Sequence, residues 1–208
     1  MKRVAISQRL VDHTEYKETR SCLDLRWTDV FRKLNYIPLI IPQDYPCETF
    51  LEQTKAQALI LSGGNDLQSL SPNALSAQRD SFERDLIQTA LLMNIPIFGV
   101  CRGMLLLADF FESSFHEIDK HVATRHELYV HADSRHKERL RKLNTVNSFH
   151  KFSVKSLGRN LIASARCPKG YIEALEHRTL PIFGQMWHPE REDPLQELEI
   201  ELLGEVLK

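Results

Sequence analysis

Short, almost wholly apolar runs separated by helical patterns constrain this chain more than any other feature. Arg3–Ser7 (RVAIS), Ile37–Ile41 (IPLII), Ala58–Leu61 (ALIL) and Ile95–Val100 (IPIFGV) are too short for core helices. They also lack the polar–apolar alternation of a half-exposed strand. Strands of this kind are buried on both faces and belong to parallel sheets covered by helices. Helical patterns fill the intervals. Asp24–Leu34 sets Leu25, Val30, Phe31 and Leu34 on one face, and a second helix is predicted near Asp80–Met93. Asp80 and Glu83 fit its N-terminus as cap and capping-box acceptor. A third helix starts near Arg102.

The pattern changes after Phe111. Residues 112–145 are polar and rich in His, Lys and Arg. Three strand-like runs follow, Asn160–Ala165 (NLIASA), Gly170–His177 (GYIEALEH) and Ile182–Trp187 (IFGQMW), then an amphipathic helix over Pro194–Leu207. The first half therefore reads as a doubly wound α/β sheet, and the second as a mixed or antiparallel extension of it. A length of 208 residues suits one domain spanning 1–208.

Composition excludes several functions. The net charge is −1, so no global charge points to nucleic acid or an anionic membrane surface. No run approaches the ~20 apolar residues of a membrane span. The first apolar stretch is too short for a signal-peptide core. Cys22, Cys47, Cys101 and Cys167 have wide, irregular spacing that fits neither a zinc pattern nor a disulfide framework. A cytoplasmic protein with reduced thiols is expected, with Cys22, Cys47 and Cys167 buried and no cofactor. Histidines recur every five residues at His116, His121, His126, His131 and His136. That spacing matches neither a helix face nor a usual zinc loop. The segment 116–142 is therefore expected to be a solvated, mobile excursion without a metal, with a lid as the functional option.

The stretch Gly99-Val100-Cys101-Arg102-Gly103 ends an apolar strand and opens a helix. It has the G-x-nucleophile-x-G spacing of a nucleophile elbow, with a thiol for the hydroxyl. A helix N-terminus aimed at the sulfur favours thiolate. The pentapeptide alone equally fits a buried core thiol. A nucleophile needs a base and the base an orienter. His188, just beyond the last strand-like run, is the candidate base and Glu190 its orienter; His150 is the second choice and could contact substrate. The Arg102 amide and Gly64, in the turn Leu61–Asp66 (LSGGND), are candidate oxyanion donors.

These pieces resemble the class I glutamine amidotransferases, and within them the γ-glutamyl hydrolase-like peptidase C26 family. The matching segments are ALILSGGNDL, PIFGVCRGMLLLADFF, VNSFHKFSVKSLG, GYIEALEH and PIFGQMWHPE, in the family's order between Ala58 and Glu190. The resemblance implies a flavodoxin-like fold and a Cys101–His188–Glu190 triad working through a glutamyl thioester. It implies contacts to the glutamyl group from Ser148 and His150; Gly63, Asn65 and Asp66, in the glycine turn, are further, less specified candidates, and Asn147 reads as a turn former. SQRL, SPNALSAQRD and MWHPERE further resemble the branch acting on γ-glutamyl-CDP-amidate, in the making of phosphoramidate-modified surface polysaccharide. A nucleotide leaving group would bring phosphates, for which Gln8 and Arg9 lie at the site's edge, with Arg20 and Arg26 near.

Two positions depart from the wider pattern. Leu105 stands where many amidotransferases have glutamine, and His150-Lys151-Phe152 where many C26 members read HHQ. The expected partner is a small γ-glutamyl substrate, with the oligomeric state open. A glutaminase subunit feeding ammonia to a synthase, another γ-glutamyl amide hydrolase such as one acting on γ-glutamyl-γ-aminobutyrate, and a non-enzymatic relative that kept the fold stay as alternatives.

Overall fold

The computed structural model describes residues 1–208. Its first half runs β1 (Lys2–Ile6), a hairpin of β2 (Arg9–His13) and β3 (Glu18–Cys22), α1 (Trp27–Leu34), β4 (Tyr36–Ile40), α2 (Cys47–Thr54), β5 (Ala58–Leu61), α3 (Ala74–Leu92), β6 (Ile97–Val100) and α4 (Arg102–Phe110). The second half adds β7 (Ser114–Glu117), β8 (Val122–His126), β9 (Tyr129–Val130), α5 (Lys137–Leu140), β10 (Val146–Phe149), β11 (Phe152–Ser156), β12 (Leu161–Arg166), β13 (Ile172–His177), β14 (Ile182–Gln185), a 3₁₀ turn at Pro189–Arg191 and α6 (Glu197–Val206).

Eight strands form one sheet in the order β4-β1-β5-β6-β14-β13-β12-β9. The first five are parallel and the last three antiparallel. The central strands are buried on both faces because their side chains alternate into two cores. Val4, Ile6, Ala58, Ile60, Phe98 and Val100 face one side, with Trp27, Val30 and Phe31 of α1 and Ile200, Leu202 and Leu203 of α6. Ala5, Leu59, Leu61 and Ile97 face the other, with Leu86 and Ile87 of α3 and Met104 to Ala108 of α4. Burying each large aliphatic side chain contributes about 1.5–3 kcal/mol, so both helix layers are required.

Several expectations need correction. Leu25 precedes α1 and is 87% exposed, because the helix begins at Trp27 and uses Trp27, Val30 and Phe31 as its apolar face. Helix α3 starts at Ala74, capped by Asn73, whose side-chain oxygen accepts the Ser76 N–H at 2.9 Å. Asp80 and Glu83 are therefore interior helix residues rather than caps. Cys22 and Cys47 are half-buried, and only Cys167 is fully buried. Residues 116–142 are largely solvent-facing, as expected, but they are paired into sheets rather than left as a loose excursion. β7 pairs with β11, β8 with β10, and β9 joins the main sheet at β12. Their short, irregular strands carry no clean period, which hides them in the sequence.

Glu199 of α6 is 2% exposed and neither carboxylate oxygen has a hydrogen-bond partner. Burial, with the charge of Glu192 behind it, pushes its pKa up to about 8. The folded chain then holds a proton that the unfolded chain releases. The associated stability is present below the ordinary value of 4.5 and is lost as pH rises through about 8. Glu199→Gln is expected to flatten the fall of Tm across that window; an unchanged slope in thermal melts would contradict this.

Candidate active site

Four adjacent strand ends build the site. β1, β5, β6 and β14 are parallel, so the residues beyond their carboxyl ends lie side by side: Arg9, Gly64, Cys101 and His188. Cys101 has φ 53° and ψ −106°, outside the regions a side chain normally occupies. Such strain costs roughly 1–3 kcal/mol and persists only where neighbours enforce it. They do so sterically. A Cβ on Gly103 would lie 2.1 Å from the Leu61 carbonyl oxygen, and one on Gly99 would lie 2.6 Å from the Gly103 carbonyl carbon. The Cys101 N–H is fixed to the Gln185 carbonyl at 2.7 Å.

His188 is 1% exposed, and its Nδ1 lies 2.7 Å from Glu190 Oε1. With Nδ1–H on the carboxylate, Nε2 is left for the sulfur. Asn147 is not a turn former. From β10 its Nδ2 donates to the His188 carbonyl at 2.8 Å, and its Oδ1 accepts the His188 N–H at 2.9 Å. It therefore clamps His188 by its backbone. Gly63 leaves room for the imidazole, since a Cβ there would be 2.8 Å from His188 Cε1.

Burial alone would raise the Cys101 pKa. The charge and hydrogen bond of His188, with the charges of His150 and Arg191, outweigh it and hold the thiol below its ordinary value. Burial likewise opposes charge on His188, but Cys101 and Glu190 raise its pKa to about 9. Each therefore stabilises the charged form of the other, and the two titrate as a unit. Alkylation of Cys101 by iodoacetamide should show a midpoint below 9.0. Glu190→Gln removes support for the imidazolium and should move that midpoint up. A wild-type midpoint at 9.0, unmoved by the substitution, would contradict the pairing.

The loop after β5 holds Gly64 at φ 80° and Asn65 at φ 56°. Arg79 of α3, fully buried, grips it from beneath. Its guanidinium donates to the carbonyls of Ser62 at 2.8 Å and Gly63 at 3.1 Å, to the Gly64 carbonyl, and to Asn65 Oδ1 at 3.2 Å. Its Nε lies 2.9 Å from Glu83 Oε1, and Glu83 and Asp80 both pair with Arg102. Gly64 and Arg102, whose amides are the candidate oxyanion donors, are thereby tied into one buried ionic network. As the first residue of α4, Arg102 has no intrahelical acceptor for its N–H. The Arg79–Glu83 spacing of four was a legible helix pair, but its burial was not. Removing one partner of such a network costs about 3–5 kcal/mol. Arg79→Leu should lower Tm steeply. Arg79→Lys should keep the charge and lose the fork, lowering kcat more than Tm; unchanged kcat would separate Arg79 from the loop's function.

Two clefts meet at this point. One, of about 290 Å³, is lined by Cys101, Leu105, Asp66, His150, Lys151 and Phe152. The other, of about 300 Å³, is lined by Arg9, Cys22, Leu23, Leu25, Trp27 and Glu190. Gly64, His188 and Arg191 line both. Arg191 was not singled out in the sequence; its guanidinium lies 4.7 Å from the centroid of the Phe149 ring. Leu105 places an aliphatic surface in the first cleft.

Several other expected contacts have their polar groups bonded within the protein, although Asn65 and His150 line the Cys101 cleft. The Asn65 amide is bonded to the Leu10 backbone at 3.0 Å through both Oδ1 and Nδ2. Ser148 Oγ donates to the His121 carbonyl at 2.8 Å, behind the cleft wall. His150 faces the cleft with its ring, while Nδ1 lies 3.0 Å from the Phe152 carbonyl and Nε2 3.3 Å from Glu173. Gln8 lines neither cleft. Arg20 and Arg26 pair with Glu18 and Asp24.

The family model of peptidase C26 matches residues 4–190. The chain belongs to the peptidase C26 family. This C26 member is 37% identical over 200 residues to the γ-glutamyl-CDP-amidate hydrolase of Campylobacter jejuni, covering 95% of this chain and 94% of that protein. It is 29% identical over 167 residues to a glutamine-hydrolysing GMP synthase subunit of Methanocaldococcus jannaschii, covering 77% of this chain and 80% of that protein. In fold it is similar to a Thermoplasma acidophilum protein assigned as a GMP synthase subunit, with TM-score 0.74 and 19% identity over 100% of this chain and 92% of that one. A Thermotoga maritima glutamine amidotransferase gives TM-score 0.66 at 15% identity, covering 98% and 83%. The mostly parallel α/β sheet with its antiparallel extension is thus a glutamine amidotransferase fold, and membership of C26 makes the chain a hydrolase. No helix is long and apolar enough to cross a membrane.

Proposed function

We propose that this protein hydrolyses a γ-glutamyl amide, and that its substrate is γ-glutamyl-CDP-amidate, released as L-glutamate and cytidine diphosphoramidate. The observation that carries the reading is the Cys101–His188–Glu190 line at the junction of two clefts of different character. The Campylobacter jejuni relative supports the leaving group. The glutamyl group enters the cleft of Cys101 and Lys151, where the Lys151 ammonium meets the α-carboxylate. The nucleotide lies along the other cleft, with Arg9 and Arg191 as cations for the diphosphate and Leu25 and Trp27 as apolar surface.

The steps follow from the charges. Cys101 thiolate attacks the δ-carbonyl carbon, and the oxyanion takes hydrogen bonds from the Gly64 and Arg102 amides. His188 gives its proton to the leaving nitrogen as the C–N bond breaks. A thioester remains on Cys101. His188, now neutral, takes a proton from water, which attacks the thioester and frees glutamate and thiolate. Leu105 offers no amide to glutamine, which disfavours the glutaminase reading. In the cell, the amidate product would serve phosphoramidate modification of surface polysaccharide.

Glutamate release should be measured from γ-glutamyl-CDP-amidate, with L-glutamine and γ-glutamyl-methylamide in parallel. The nucleotide substrate should turn over far faster, Cys101→Ala should abolish release, and Arg9→Ala should raise KM for the nucleotide substrate alone. Faster release from glutamine, or an equal KM change for both amides, would contradict this reading.

A further inference from the structure

Glu173, the second residue of β13, has no exposed surface, and neither carboxylate oxygen has a hydrogen-bond partner. An ionised carboxylate buried without compensation is among the costliest groups a fold can hold. Three imidazoles surround it. His121 Nδ1 and His126 Nε2 each lie 3.6 Å from Oε1, and His150 Nε2 lies 3.3 Å from Oε2. One donor atom from each of the four residues falls within 4.8 Å of all the others.

Two of the histidines are held with Nε2 inward by outer carbonyls. His126 Nδ1 lies 3.1 Å from the Glu127 carbonyl, and His150 Nδ1 lies 3.0 Å from the Phe152 carbonyl. A carbonyl only accepts, so each Nδ1 carries a hydrogen, and in the neutral ring each Nε2 presents its lone pair to Glu173. Both Nε2 atoms are likewise without a hydrogen-bond partner. His121 is oriented by its own neighbours. Its Nδ1 lies 3.2 Å from Ser148 Oγ and 3.6 Å from Glu173 Oε1, and its Nε2 lies 3.9 Å from Cys167 Sγ, so Nδ1 is the nitrogen turned toward the carboxylate. Outer carbonyls that fix the ring and its tautomer are the usual surroundings of ligating histidines.

Lone pairs converging on a carboxylate repel unless a cation lies between them. A proton on His150 would answer Oε2 alone and leave Oε1 facing two further nitrogens. A single dication answers all four groups. Ligands about 2.0–2.1 Å from a tetrahedral ion stand roughly 3.4 Å apart, close to the nitrogen–oxygen separations here. We propose that His121, His126, His150 and Glu173 form a structural site for a divalent transition metal of the zinc type.

The three nitrogens and one oxygen fill a tetrahedral shell, so the site leaves no open position for chemistry. Its ligands come from β8 and the turn before it, from the β10–β11 turn and from β13. The ion therefore pins the β8–β10 pair onto the main sheet and fixes the wall of the Cys101 cleft at His150. The sequence concealed it because the four residues lie in three separate segments, and only His121 and His126 belong to the five-residue repeat.

The test uses the full chain in a Cys101→Ala background, so that the active-site thiol cannot bind the probe. Chelator-treated protein is titrated with Zn²⁺ and, separately, with Co²⁺. One ion per chain is expected, with a rise in Tm on Zn²⁺ and the intense visible bands of four-coordinate Co²⁺. Glu173→Gln should lose affinity by about 100-fold or more, beyond the loss of an outer partner alone. His126→Gln, at a half-buried position that keeps the fold, should do the same. Absence of binding and of any Tm response would overturn the site. So would affinity unchanged in both variants, which would place the ion elsewhere.

Discussion

The contact on which the site depends is the close approach of α4 to β5 and β6. Gly103 lies so near the Leu61 backbone that no side chain fits there, and Gly99 is equally tight against Gly103. That packing lets the helix begin directly after the strand. It forces Cys101 into a left-handed bend and lifts its sulfur above the sheet. The same approach aims the first amides of α4 at the space where an oxyanion would form. The strain at Cys101, the placement of its sulfur and the electrostatics around it are consequences of a single steric fact.

Charge placement does the rest, and it is layered. Beneath the site, Arg79, Glu83, Arg102 and Asp80 compensate one another in a space that excludes water. The network fixes the loop of Gly64 to the helix of Arg102, so the two candidate donors hold a common geometry. Within the site, Cys101 and His188 each stabilise the other's charged form, and Glu190 supports the imidazolium. Beside it, Asn147 ties His188 to β10 and, through Glu192 Oε1 at 2.6 Å, to the segment that follows. The β8–β10 pair is thus joined to His188 by hydrogen bonds and to the cleft wall by the histidine cluster around Glu173.

Much of the sheet was legible because the central strands are buried on both faces, which leaves the unbroken apolar runs at Ala58–Leu61 and Ile97–Val100. The elbow was legible because glycine at two fixed positions has a steric meaning. What stayed hidden has equally physical reasons. The β2–β3 hairpin is largely exposed and carries no apolar period. Arg79 sits in a polar stretch of α3 that reads as solvated until the tertiary structure closes over it. Asn147 resembles a turn residue, and only the fold reveals that its amide matches the His188 backbone. His121 and His126, His150, and Glu173 come from three separate segments, and pairing of short strands brings them together. Local patterning reports burial of apolar faces well; it reports poorly on polar groups whose partners arrive from elsewhere in the chain.

The central claim is that Cys101 carries the acyl group between two half-reactions. The most direct measurement is partitioning of product in the presence of hydroxylamine, a nucleophile that competes with water for a thioester. The account predicts that γ-glutamyl hydroxamate forms at the expense of glutamate while total turnover of γ-glutamyl-CDP-amidate is maintained. Glutamate as the sole product at every hydroxylamine concentration would mean that water attacks the amide directly, and would contradict covalent catalysis by Cys101.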